Sequence, residues 1–318
     1  MAKRKLSQHQ QKRIQSAQNA VSGKDENHIE GLVISHHGGK IIVEAVDGQL
    51  IECAVRSNLG AIVCGDRVVC ETTGGGEYRV IAVLARENFL QRIDGFGAPK
   101  SVAANLSQLL VCLSVLPEPN LFLLDQYLVS AEQHHINAAI ILNKIDLLPA
   151  PSQDPFSLET IYAPLGYKVL PVSVKSGLGM DRLRSVFDNH TSVLSGVSGV
   201  GKSSITQALL PHENIKIAEI SATSDEGRHT TRTSRLYHLP NHGHLIDTPG
   251  IRGFKPLLAE GEGMPIRAGF REISDFSAQC RFSNCRHLNE PECAVLDAVA
   301  RHKIDGGRYQ NYLKMLNG

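Results

Sequence analysis

Gly196-Val197-Ser198-Gly199-Val200-Gly201-Lys202-Ser203 has the residue types and spacing to hold a chain of phosphates. Its glycines let backbone N–H groups converge on an anion. Lys202 is placed to reach the β- and γ-phosphates and the Ser203 hydroxyl to ligate Mg2+, with Ser204 next on the same turn. Asp247-Thr248-Pro249-Gly250 ends a later apolar run, where Asp247 can hold Mg2+ through a water and the Gly250 N–H can meet a γ-phosphate. Alone such an Asp-x-x-Gly usually marks a turn; after a phosphate loop it gains meaning.

Asn143-Lys144-Ile145-Asp146 discriminates among nucleotides. The Asp146 carboxylate can accept two hydrogen bonds from guanine N1–H and the 2-amino group, and adenine would leave it unpaired. Asn143 can bond the base and tether neighbouring loops, and the Lys144 stem can cover the ring. Ser173-Val174-Lys175 ends another apolar run and fits a loop whose backbone N–H meets guanine O6. A helix cap is the plainer reading of Asn143 and Asp146, and the accompanying phosphate loop disfavours it. In an ordinary GTPase the phosphate loop comes first and the guanine motif near the end; here the order is reversed.

Gly227-Arg228-His229-Thr230-Thr231 lies between the phosphate loop and Asp247. A loop there must supply a hydroxyl to Mg2+, and Thr230 or Thr231 fits. A water-positioning Gln commonly follows the Asp-x-x-Gly glycine, but here Ile251 does. An apolar side chain cannot orient water, so slow hydrolysis accelerated by an outside partner is expected. His229 is the internal candidate for a substitute, equally readable as a surface loop histidine. Cys280-x4-Cys285-x-His287-x5-Cys293 offers three thiolates and an imidazole. That set suits a structural tetrahedral Zn2+, against the plainer reading of buried cysteines beside a surface histidine.

The elements that must position these groups fall into four blocks. Residues 1–27 are polar, Gln-rich and basic, and are expected to be disordered when free, either as a solubilising tail or as an arm on RNA phosphates. From 28 to 86, short alternating runs broken by glycine pairs read as five strands of a small barrel, of oligonucleotide-binding or SH3-like type. From 87 to 254 the rhythm is strand–helix–strand, a doubly wound α/β domain with Leu109–Leu116 as a central strand and Leu121–Gln133 as a helix. Residues 255–318 carry the cysteine cluster and then a helical, basic stretch over Val295–Leu316. Its Arg301, His302, Lys303, Arg308 and Lys314 form either a solvated face or a phosphate-contacting one.

The chain has 318 residues and a formal net charge of +1, which argues neither for nor against nucleic acid. No run of about 18 apolar residues is present, so no membrane span is expected. Seven cysteines and no secretory signal argue against a disulfide framework and for a reducing cytoplasm. A monomer is expected.

Together, Arg86–Gln108, Pro117-Glu118-Pro119-Asn120, Asn143–Asp146, Gly196–Ser204, Gly227–Thr231, Asp247–Gly250 and Cys280–Cys293 resemble the small ribosomal subunit biogenesis GTPase family, also called ribosome small subunit-dependent GTPase A. The resemblance runs from about His28 onward. It implies an oligonucleotide-binding barrel, a circularly permuted P-loop GTPase domain and a mostly helical zinc-binding C-terminal domain. It also implies GTP hydrolysis stimulated by the small subunit and its rRNA, GDP as product, and a role in late subunit maturation. The zinc ligands carry over to Cys280, Cys285, His287 and Cys293, and the family's apolar residue in place of the catalytic Gln to Ile251. The Ser-Val-Lys loop and the Gln-rich tail are departures from the family pattern. An RNA-binding assembly chaperone whose GTP only sets affinity is the alternative, and a nucleotide kinase is disfavoured by Asn143–Asp146.

Overall fold

The computed structural model describes residues 28–37, 40–56, 59–93, 97–150, 153–210, 234–247 and 266–317. Five strands come first: β1 (His28–His37), β2 (Lys40–Ala45), β3 (Leu50–Val55), β4 (Arg67–Gly74) and β5 (Glu77–Val83). Alternation buries Ile41 and Val43 of β2 and Ile51 and Cys53 of β3 on one side. They meet Val33, Val68, Cys70 and Val80 in a closed core. The pairing order β1-β2-β3-β5-β4, with β4 returning to β1 and β3 parallel to β5, closes the barrel. That is the oligonucleotide-binding arrangement, which settles the choice the strand pattern left open.

Asp66, fully buried, fastens the barrel to the next stretch of chain: it accepts from Arg86 at 2.7 Å and from the Val63 amide at 2.8 Å. A hairpin of β6 (Phe89–Ile93) and β7 (Pro99–Ala104) then leads out, an element the sequence pattern did not reveal.

The second sheet contains β8 (Gln108–Ser114), β9 (Asn137–Asn143), β10 (Lys168–Pro171), β11 (Thr191–Ser195), β12 (Arg235–His238) and β13 (His244–Asp247). All seven residues of β8 are buried, as expected of a strand covered on both faces. The order is β10-β9-β8-β11-β13-β12, parallel except for β12 against β13. One residue pair, Ser35 with Arg235, joins β12 to the barrel's β1. The core beneath is also shared, since Ile34 and Cys64 pack with Leu109, Val193 and Ile246.

Helices α1 (Leu121–Gln133), α2 (Leu158–Tyr162), α3 (Met180–Val186) and α4 (Lys202–Leu209) belong to this sheet. Asn120 caps α1 by accepting from the Leu123 amide at 3.0 Å. The C-terminal module has α5 (Arg271–Ser277), α6 (Ala294–Ala300) and α7 (Gly306–Leu316). The helical stretch expected over Val295–Leu316 is therefore two helices, divided by a turn in which His302 has φ 55° and Asp305 caps the second. Arg308 is neither on a solvated face nor free for phosphate. It is 2% exposed and bridges Glu272 and Asp125, each at 2.5 Å. Removing one side of a buried pair leaves an uncompensated charge. Arg308→Ala, which strands two carboxylates, should therefore lower unfolding free energy by about 3 kcal/mol or more in denaturant titration.

Candidate functional site

Strand ends at the carboxyl edge of the parallel sheet build the site. The order in which successive strands are added reverses between the parallel neighbours β8 and β11: β9 and β10 lie outside β8, and β13 lies outside β11. In open α/β sheets, ligands bind in the crevice at such a switch point. Here β11 delivers the loop 196–201, β9 delivers Asn143, β10 leads to Ser173, and β13 ends on Asp247. Asp247 follows Ile246, which pairs with Val193 of β11, so the aspartate sits beside the root of the glycine-rich loop.

Two residues of the Asn143–Asp146 segment brace that loop. Asn143, buried, donates from Nδ2 to the Val200 carbonyl at 2.9 Å, and its Oδ1 has no hydrogen-bond partner among the described residues. The Lys144 ammonium donates to the carbonyls of Gly199 and Leu116, each at 2.6 Å. Besides whatever its stem covers, Lys144 therefore joins the loop to the segment just after β8. Ser173 donates to Asp146 Oδ1 at 2.6 Å and accepts the Ser176 amide at 3.1 Å, which fixes the direction of an exposed carboxylate. Val174 and Lys175 follow in the same turn, and Ile145 is buried beneath it.

Lys202 opens α4 and donates to the carbonyls of Gly196 and Val197, each at 2.6 Å, so its ammonium lies over the first turn of the loop. Ser203 and Ser204 are exposed on that helical turn, as is Ser198 within the loop. His229, Thr230, Thr231, Gly250 and Ile251 lie outside the described residues, with the rest of Gly227–Thr231 and Thr248–Pro249.

Tyr127 is a residue the motif reading missed. It is fully buried in α1, with its hydroxyl at the Gly196 amide, and burial pushes the phenol above its ordinary range. A small apolar cavity separates its helix from the loop, lined by Leu123, Leu124 and Tyr127 on one side and Gly196, Val197 and Val200 on the other. The available signal was a tyrosine in an apolar helix, since a buried phenol needs a polar partner.

The metal-ligand candidates converge too. Ligand atoms of Cys280, Cys285, His287 and Cys293 all lie within 4.8 Å of one another. Cys280 Sγ is 3.8 Å from Cys293 Sγ and 3.6 Å from His287 Nδ1, and Cys293 Sγ is 3.4 Å from that nitrogen. The group can hold a metal ion. Its loop is ordered by Glu290, which accepts the amides of Arg286 and Leu288 at 2.7 Å and of Asn289 at 3.1 Å. Tyr309 and Tyr312 of α7 donate to the carbonyls of His287 and Arg286, at 2.6 and 3.1 Å.

A glycine-rich loop between strand and helix, braced by an Asn-Lys-x-Asp segment that precedes it in the chain, defines a circularly permuted P-loop GTPase. The model for the family described as RsgA GTPase matches residues 83–256. Over 99% of its length the chain is 39% identical to "Small ribosomal subunit biogenesis GTPase RsgA" of Saccharophagus degradans, covering 97% of that protein. It is 41% identical to the protein of that name from Pseudomonas fluorescens strain Pf0-1, over 96% of this chain and 90% of the other. The chain belongs to the RsgA GTPase family. Among solved structures, YjeQ from Thermotoga maritima superposes with TM-score 0.70 at 32% identity, covering 91% of this chain and 97% of that one. YloQ, described as a circularly permuted GTPase, gives TM-score 0.68 at 26% identity, covering 93% and 97%.

Gly201 sits at φ 96°, and a Cβ there would lie 2.3 Å from Asn143 Nδ2. Gly201→Ala must strain the turn or break the Asn143 brace. Affinity for a labelled guanine nucleotide should fall by roughly tenfold or more.

Proposed function

We propose that this protein binds GTP at the carboxyl edge of its parallel sheet and hydrolyses it to GDP and phosphate during late maturation of the small ribosomal subunit, which activates it. The observation that carries the reading is the double use of Asn143–Asp146, which grips the glycine-rich loop through Val200 and Gly199 while Ser173 aims the Asp146 carboxylate. Base selection and phosphate binding are thereby one rigid unit. The relatives named for small ribosomal subunit biogenesis support the choice of partner.

In this reading Asp146 selects guanine and the turn at Ser173-Val174-Lys175 meets its O6. The amides of Gly196–Gly201 cradle the phosphates, and Lys202 exchanges its two carbonyl partners for the β- and γ-phosphate oxygens. Oxygen donors suit the hard cation of such sites. Ser203, Thr230 or Thr231, and Asp247 through a water would hold Mg2+, which supplies charge neutralisation on the phosphates. Phosphoryl transfer to water needs in-line positioning and charge stabilisation more than covalent chemistry. With Ile251 where a glutamine would orient water, that positioning falls to His229 or to the subunit. In this reading the protein acts as a cytoplasmic monomer on the subunit's rRNA.

We assign Zn2+ to the cysteine–histidine cluster. On a tetrahedral zinc with sulfur at about 2.3 Å and nitrogen at about 2.0 Å, the S–S edge is about 3.8 Å and the S–N edge about 3.5 Å. The 3.8 Å edge between Cys280 and Cys293 and the 3.6 and 3.4 Å edges to His287 Nδ1 support this fit. Four protein donors leave no position for a reacting water, so the ion is structural.

Adding purified small subunits should raise GTP turnover on the order of 100-fold or more, as external activators of such sites do; a flat response would overturn the activation. In the same assay a lost rise in His229→Ala would assign the positioning to His229, and full stimulation in that variant would assign it to the subunit. Metal analysis should find one zinc per chain. Cys285→Ser or a strong chelator should release it with loss of the C-terminal helical signal, and a zinc-free chain with that signal intact would refute the assignment.

A further inference from the structure

Helix α1 lacks a single apolar face. Leu124 through Ala131 are all buried, because the helix is covered on two sides. Phe122, Asp125, Val129 and Glu132 recur at helical spacing and form one stripe, and the C-terminal module meets every one of them. The Lys314 ammonium lies 5.7 Å over the Phe122 ring. Asp125 accepts from Arg308 at 2.5 Å and Asn311 at 2.7 Å. Gly269 approaches so closely that a Cβ on it would lie 2.5 Å from Val129. Arg271 donates to Glu132 at 2.8 Å.

The opposite stripe carries Leu124 and Tyr127 toward the glycine-rich loop. The two interfaces differ in stiffness. Against the C-terminal module, α1 is held by charges taken out of water, with Asp125, Glu272 and Arg308 all at 6% exposure or less. Sliding α7 along α1 would strand a buried carboxylate, so the helix and the module move as one body. Against the loop the facing side chains carry no charge: Leu124 and Tyr127 share a small apolar cavity with Gly196, Val197 and Val200, and the Tyr127 hydroxyl meets the Gly196 amide. The hydroxyl lies at Gly196, where β11 becomes the glycine-rich loop.

We propose that α1 transmits the placement of the C-terminal module to the glycine-rich loop, with Asp125 and Tyr127 as the positioning residues on its two faces. Whatever shifts the module then changes nucleotide affinity without touching the nucleotide. The route runs through packed side chains, independently of the segment beyond Asp247.

A double-mutant cycle in the full-length, zinc-loaded protein tests this, with affinity for fluorescently labelled GDP as the readout. Asn311→Ala removes one contact to Asp125, and Tyr127→Phe removes the hydroxyl at Gly196. The hydrogen-bond partners of the two side chains are different residues, so independent effects would multiply. The expected result is a change of about threefold or more in Asn311→Ala, and a double mutant that departs from the product of the singles by about threefold or more. Wild-type affinity in Asn311→Ala, or a product obeyed within about twofold, overturns the proposal. A purely structural role for Asn311 would lower the unfolding midpoint and leave affinity unmoved, so both are measured, with zinc content as a control. If Asn311→Ala fails to fold, Arg271→Lys, which faces the part-buried Glu132 end of the same stripe, replaces it under the same two outcomes.

Discussion

Parallel register between β8 and β11, with Gln108–Val111 alongside Ser192–Ser195, is the constraint from which the site arises. In a parallel sheet all carboxyl ends lie on one edge, so loops after five strands converge whatever their order along the chain. Only the connections differ, and the entropy of closing a loop grows slowly with its length. The nucleotide motifs can therefore be threaded with the Asn-Lys-x-Asp segment first and the glycine-rich loop later. What the threading does decide is neighbours. The barrel joins the sheet at β12 through Ser35 and Arg235 and through a shared core, and the C-terminal module comes after the strand that ends on Asp247.

Because the module comes after β13 and not β10, it has to find a surface of its own, and it settles on α1. A helix covered on both sides cannot be amphipathic. Its sequence, LFLLDQYLVSAEQ, accordingly shows one acid, Asp125, inside an apolar run. Burial pushes that carboxyl above its ordinary range, while Arg308, Asn311 and Tyr162 draw it back. An apolar residue there could pack as well, since replacing buried ion pairs by well-packed apolar groups is often neutral or better. What the charged cluster adds is geometry: a fork, a carboxylate and an amide admit one arrangement, whereas apolar surfaces slide.

Elements with strong local periodicity were legible in the sequence. The helix Leu121–Gln133 has the expected ends because Asn120 caps one end and the apolar run sets its length. The central strand expected over Leu109–Leu116 runs Gln108–Ser114, within two residues at each end. Barrel closure was not legible, because period-2 alternation says which side a strand buries and nothing about its partner; the parallel β3–β5 pair decides the type. The β6–β7 hairpin was hidden by a connection rich in glycine and ended by Pro99. In the site, residue types gave the motifs, but the bracing by Lys144 and the place of Tyr127 depend on contacts between distant elements. Arg308 looked like part of a basic face for the same reason: charge type is local, and burial is not.

Helix α7 joins the two devices of the C-terminal module. Its residues alternate in duty: Arg308 and Asn311 face Asp125 of α1, while Tyr309 and Tyr312 hold the carbonyls of His287 and Arg286 in the metal loop. Positions three apart share a helical face, and adjacent positions differ by about 100°, so one short helix reads both surfaces at once. The metal loop has little apolar mass beyond Cys285, Cys293 and the tyrosines that cover it, and modules of that size depend on their ion for order. An ion held there would order the loop and, through Tyr309 and Tyr312, the rotation of α7 on which the reach of Arg308 to Asp125 depends. The cysteine–histidine group, remote from the glycine-rich loop in sequence, is thus tied through α7 to the helix that lies beside that loop.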